Sequence, residues 1–227
     1  FKEHHMRKII IGGDEISYAK EKDLPDPELN PNMNEFYKYV FTVSSDICSQ
    51  LEIPTPDIAL YRCLRRKYKP DNIIGGFCYT PDDDPNLETP MLLISYEIEN
   101  IAIILGIIAH EHRHIWQYYH AKNLNAHHAN GFDESTEHPA EIDADGYAIY
   151  FVSDYYGISM DEAANFICPE EKKKYPAAYS SRLAKAHELK SFFDFQKLQS
   201  SSLKNVKKNE IFEKLKHLIS TLLEGRK

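Results

Sequence analysis

Apolar residues change their spacing along this chain, and each change predicts a different element. From Met33 to Leu51, the apolar positions Phe36, Tyr39, Val40, Val43, Ile47 and Leu51 recur at close to helical spacing, and Pro54 and Pro56 end the run. From Asp57 to Leu64 the pattern tightens to alternation, with Ile58 and Leu60 set against Ala59, Tyr61 and Cys63, which predicts a strand. Gly75 to Thr80 predicts a second strand bounded by glycine and proline, and Met91 to Tyr96 a third. Ile101 to Ala109 is apolar all round, as a buried helix requires, and charged residues follow at once. This run is far shorter than the ~20 residues a membrane span needs, so the reading is a core helix over Glu97–Lys122.

Before and after this block the signals differ. Residues 1–32 carry Asp14, Pro25, Asp26, Pro27, Asn30 and Pro31 and read as an extended N-terminal arm with turns. Pro139 suits the first turn of a helix, and no proline interrupts the stretch to Tyr156. Beyond Gly157, Ser159 caps a short helix with Asp161 and Glu162 in its first turn, closed by Cys168-Pro169. Ser180–Lys197 and Asn209–Leu223 read as helices. The last sets Ile211, Leu215, Leu218 and Leu222 on one stripe with lysines opposite. The expected architecture is α+β: a domain over 1–171 with a small antiparallel or mixed sheet, then a helical C-terminal segment over 172–227.

Charge supports that division. Residues 172–227 hold 14 Lys+Arg against 5 Asp+Glu, whereas residues 1–171 hold 13 basic against 30 acidic groups. A Lys-rich tail of this kind serves as a solvated face or docks on an acidic body. It lacks a recognisable nucleic-acid motif, and its apolar face is short and free of tryptophan, which argues against nucleic-acid and membrane partners. With 42% apolar and 12% aromatic residues, the 227-residue chain can bury a proper core. Cys48, Cys63, Cys78 and Cys168 show no C-x-x-C spacing, so they are expected as reduced thiols. No secretory apolar segment opens the sequence, and a cytoplasmic location is the default expectation. Asp82-Asp83-Asp84-Pro85 lacks a continuing EF-hand spacing and reads as a solvated turn.

The candidate chemistry lies in His110-Glu111-His112-Arg113-His114, an H-E-x-x-H segment. Residues four apart stand one above the other on a helix, so His110 and His114 can grip one metal ion. Glu111 lies about 100° round the helix, beside the ion rather than on it, where a carboxylate can take a proton from water. Burying two histidines and a glutamate in an apolar helix is costly without partners, and a metal supplies them. His112 points away with Trp116 and Tyr119, so core packing is its expected role. Gln117 shares the ligand stripe and is a candidate to fix a water or a carboxylate.

A catalytic zinc site takes a third protein ligand and leaves one position for water. The foremost candidate is Glu141, which shares a helical stripe with Asp145, Ala148 and Val152. Ala144 and Ala148 border that stripe and would let the helix approach the His helix closely. Asp145, one turn on, is placed to accept the free N–H of a ligand histidine. Alternatives are Asp143 or Asp145 as the ligand, with Glu141 merely capping its own helix behind His138. His127, His128, Asp133 and Glu134, between the two helices, offer an imidazole for an oxyanion, though ordinary loop positions are the simpler reading.

Together, His110-Glu111-x-x-His114 and Glu141-x-x-x-Asp145 resemble the signature of the zincin metallopeptidases, in particular the gluzincin branch. The compact size and short gap between helices are similar to small bacterial and phage metallopeptidases of the ImmA/IrrE kind. The resemblance spans roughly residues 35–156 and lacks the glycine-plus-third-histidine extension of the metzincins. It implies Zn2+ held by His110, His114 and Glu141, a general base at Glu111, support of a ligand histidine by Asp145, and a peptide or protein substrate bound along a sheet edge among residues 75–96. The rival expectation is a non-catalytic zinc protein that uses the same fold to bind a partner.

Overall fold

The computed structural model describes residues 7–11, 14–20, 31–61, 64–65, 73–96, 98, 100–125, 138–169 and 171–197. The chain divides into two compact units, 1–187 and 188–227, so the first unit continues past the change of charge at residue 172.

The first unit is α+β. Strands β1 (Arg7–Ile11) and β2 (Asp14–Lys20) precede helix α1 (Pro31–Leu51). Then come β3 (Asp57–Tyr61), β4 (Leu64–Arg65), β5 (Ile73–Ile74), β6 (Gly76–Tyr79) and β7 (Met91–Ser95). Helices follow: α2 (Ile101–His120), α3 (Lys122–Asn125), α4 (Pro139–Tyr156), α5 (Met160–Ile167) and α6 (Glu171–Lys174). Helical residues 176–187, α7, close the unit, and residues 188–197, also helical, are the described part of the second. There Lys190 donates to Asp194 at 2.8 Å, an exposed pair one turn apart.

Five strands form a mixed sheet in the order β1-β2-β3-β7-β6, and β4 and β5 pair separately. The central pair, β3 with β7, is parallel, with Ile58 opposite Leu92 and Leu60 opposite Ile94; the other pairs are antiparallel. The segment expected as an extended arm therefore contains a hairpin, whose second strand hydrogen-bonds to β3 through Tyr18–Lys20. The alternation expected of β3 gives way to burial on both faces, as in β7, which central position in a sheet demands. In α1, Tyr37 is buried where the periodicity favoured Phe36, while Val40, Val43, Ile47 and Leu51 are buried as expected. Cys48, Cys78 and Cys168 are free thiols, and Cys63 lies outside the described residues.

Helices α1, α4 and α5 pack on α2, the central helix. Asn100 starts α2 by accepting hydrogen bonds from the Ala102 and Ile103 amides at 2.9 and 3.4 Å, so the helix begins four residues after Glu97 was expected to open it. Ala140, Ala144 and Ala148 on α4 have no exposed surface, which lets the α4 backbone come close to α2. Gln50 locks α1 to α4 by accepting from the Tyr147 hydroxyl and donating to that of Tyr150, both at 2.8 Å. Gly157, at φ 65°, stops α4 in the left-handed conformation that favours glycine. Ser159 caps α5 as expected, and Glu162 returns the bond to complete a capping box. Among the described residues no helix is long and apolar enough to cross a membrane.

At the sheet edge, a Cβ on Gly75 or Gly76 would stand 2.3 or 2.4 Å from the Ile107 side chain. With glycine at both positions, the β6 end of the sheet packs closely against the Ile107 side chain of α2. That proximity brings the edge strand next to the H-E-x-x-H turn.

Candidate metal centre

One turn of α2 separates His110 from His114, and both rings turn towards α4. The hydrogen bonds of their outer nitrogens fix the tautomers. His110 Nδ1 lies 2.7 Å from Asp145 Oδ1, and an ionised carboxylate only accepts, so the ring proton sits on Nδ1. His114 Nδ1 lies 2.9 Å from Gln117 Oε1. Gln117 Nε2 donates to the Ala140 carbonyl and to Asp143 Oδ2, both at 3.0 Å, which orients the amide with its oxygen towards His114. Both Nε2 atoms are therefore left as lone pairs.

Those two lone pairs face each other at 2.9 Å. Glu141 adds a carboxylate, with Oε2 at 3.4 Å from His110 Nε2 and Oε1 at 3.4 Å from His114 Nε2. Three electron-rich groups converging on one point repel one another unless a cation lies between them. Tetrahedral zinc with bonds of about 2.0–2.2 Å holds its donors about 3.3 Å apart, which the observed separations bracket. The three residues form a group able to hold a metal, with donor atoms within 4.8 Å of one another. The donor set fits Zn2+, whose catalytic sites combine imidazoles with a carboxylate. Glu141 is about a quarter exposed (26%), so the group is open to solvent on that side.

Electrostatics point the same way. Burial opposes charge on His110, but Asp145, Glu141 and Glu111 raise its proton affinity well above the ordinary value. Burial likewise opposes charge on His114, and Glu141 overcomes it. Burial would raise the Glu141 carboxyl, yet the two imidazoles hold it far below the usual range. Basic rings around an acidic carboxylate make a cation trap, filled by a proton or, more strongly, by a divalent ion.

The remaining expected residues fall as follows. Glu111 Oε2 accepts from the Cys78 backbone N–H at 2.8 Å, placing the carboxylate between the metal group and edge strand β6. Cys78 is half-buried, and burial together with Glu111, Asp83 and Glu141 pushes its thiol well above the ordinary value. Asp143 is not a ligand: its carboxylate is buried in a two-pronged pair with Arg113, at 2.7 and 3.1 Å. Asp145 supports His110 instead of joining the donor group. His138 caps α4 through Nδ1, accepting from Ala140 N at 3.2 Å, while Glu141 turns to the imidazoles. His112 is fully buried and donates from Nδ1 to the Ile108 carbonyl, a core position as expected. The triple-Asp turn is held by its own bonds: Asp83 accepts from the Thr80 amide and hydroxyl, and Asp84 from Asn86. His127, His128, Asp133, Glu134 and the predicted 209–223 helix lie outside the described residues.

Two contributors had no sequence signal. Arg113, inside the motif, stacks its guanidinium 3.7 Å from the centre of the Trp116 ring while holding Asp143. Arg182 reaches Asp145 Oδ2 from α7, so one carboxylate serves a ligand histidine and a buried guanidinium together. No family model matches this chain, and no curated protein or solved structure matches it either.

Proposed function

We propose that this protein is a zinc-dependent peptidase of the zincin type. The observation that carries the reading is the convergence of the His110 and His114 Nε2 lone pairs with the Glu141 carboxylate, beside the Glu111 carboxylate of α2, which is hydrogen-bonded to the edge strand at Cys78. His110, His114 and Glu141 would hold the ion. Zinc bound there supplies Lewis acidity towards water and towards a scissile carbonyl.

The chain's own residues supply the rest. Glu111 takes the proton of the attacking water and passes it to the leaving amine. Asp145 and Gln117 keep the protons of the two rings on Nδ1, so that both Nε2 lone pairs would be free to hold an ion. Strand β6 is terminal in its sheet, and among the described residues no strand pairs with its outer edge. Its outer main-chain edge offers an extended peptide a pairing surface alongside Glu111, which itself holds the Cys78 N–H.

The test is cleavage of a peptide library by the zinc-loaded full chain, read by mass spectrometry, for the native protein and Glu111→Gln. Native protein is expected to cleave, and the variant to keep its metal while losing about 10²-fold or more of turnover. A protein that binds zinc and cleaves nothing would leave the non-catalytic metal-binding reading in its place. A Glu111→Gln variant as active as native would remove Glu111 from the mechanism.

A further inference from the structure

The supports of both imidazoles end on one neighbouring helix. On the His110 side, Asp145 gives Oδ1 to the ring and Oδ2 to Arg182 Nε. On the His114 side, Gln117 links the ring to Asp143, and Lys185 Nζ stands 3.4 Å from Asp143 Oδ1. Arg182 and Lys185 are three residues apart on α7, hence neighbours on one face. Gly146 is what lets that face in: a Cβ there would lie 2.7 Å from Lys185 Cβ and Cγ and 3.3 Å from the Ala186 amide nitrogen.

Arg182 is only 2% exposed. A guanidinium so buried needs a charged partner, and many carboxylates could serve a helix that merely has to dock. The carboxylate it meets is the one that fixes the ring of a metal-ligand histidine. A carboxylate–histidine pair of this kind sets the orientation and basicity of the ligand, and what holds the carboxylate sets the pair.

We infer that Arg182 is a positioning residue for the metal centre, acting through Asp145 on His110, with Lys185 playing a lesser part through Asp143 and Gln117 on His114. Helix α7 is thereby a working part of the metal site, and its docking and metal binding strengthen each other. The inference rests on the reading of His110, His114 and Glu141 as metal ligands.

The experiment uses the full chain in native form and as Arg182→Met, Arg182→Lys and Lys185→Met. Zinc affinity is measured by competition with a chromophoric chelator, the ligand field from Co2+ absorption, and folding from the melting temperature of the metal-free proteins. Arg182→Met is expected to weaken zinc binding about 10- to 100-fold and to change the Co2+ spectrum. Arg182→Lys, which keeps the charge, should regain much of that loss, and Lys185→Met should lose less. In native protein, added zinc should slow amide exchange in residues 176–187, a readout independent of whether any variant folds. Native protein that binds one zinc ion while Arg182→Met binds it equally well, with an unchanged Co2+ spectrum, would overturn the inference alone. Exchange in 176–187 indifferent to bound zinc would overturn it too. Native protein that binds no zinc would remove the metal reading itself, and this inference with it.

Discussion

Replacing Gln117 by leucine isolates the support of His114. The side chain is fully buried and makes three polar contacts: it accepts from His114 Nδ1, and donates to the Ala140 carbonyl and to Asp143. Leucine fills a similar volume and makes none of them. Asp143 retains Arg113, and the Ala140 carbonyl lies inside a helix, so the main cost falls on the stranded His114 N–H. A buried donor left without a partner costs about 1–3 kcal/mol. At about 2–4 °C per kcal/mol for a domain of this size, the metal-free variant should melt some 2–12 °C lower. Freed of its orienting bond, His114 should also bind metal about 10- to 100-fold more weakly. Calorimetric melting and chelator competition read the two effects separately. Gln117→Glu is the control, since it restores an acceptor to His114 while placing like charge against Asp143. It should bind metal more tightly than Gln117→Leu. A leucine variant with native melting temperature and native metal affinity would refute the proposed tautomer and with it the assignment of the Nε2 lone pair.

Two further outcomes concern the body of the fold. Burial pushes His112 down from 6.5 to about 4, so between those pH values the unfolded chain binds a proton that the folded chain refuses. Stability from this group is complete above about pH 6.5 and falls as pH drops towards 4, by up to about 3 kcal/mol. His112→Leu should flatten that slope in urea titrations across the window, and an unchanged slope would contradict it. Gly146→Ala should destabilise by about 1–3 kcal/mol despite a gain in helix propensity, because the new methyl meets the root of the Lys185 side chain. Gly106→Ala should cost less, since it meets the movable tip of Ile167; thermal melts that rank the two the other way would contradict the packing argument.

Local spacing carried much of the candidate site into view. His110, Glu111 and His114 are legible because a helix turns i and i+4 to one face, and Glu141 and Asp145 repeat that relation on α4. Gln117 is legible as a polar position on the same stripe, but the role expected for it, fixing a water or a ligand carboxylate, is replaced by support of the His114 ring. Arg182 is not, because only the packing of α7 on α4 brings it to Asp145, 37 residues away in sequence. Asp145 shares the Glu141 stripe in the sequence and Asp143 points to another face, and the partner helix shows what each meets: Asp143 meets Arg113, and Asp145 meets His110. The hairpin in the first twenty residues was hidden for a similar reason. Its apolar run Ile9-Ile10-Ile11 is short, β2 mixes charged and apolar residues, and the place of both strands depends on pairing with β3, far along the chain. Burial of both faces of β3 and β7 follows from their central position in the sheet, which alternation within a single strand cannot reveal.

The central claim, that two imidazoles and a carboxylate close on one cation, is tested most directly by titrating Zn2+ into chelator-stripped full-length protein and into Glu141→Ala. Native protein should take up one ion per chain, and the variant should bind it at least about 100-fold more weakly, as loss of a ligand exceeds the effect of losing a supporting residue. No stoichiometric uptake by the native chain, or equal affinity without the Glu141 carboxylate, would contradict it.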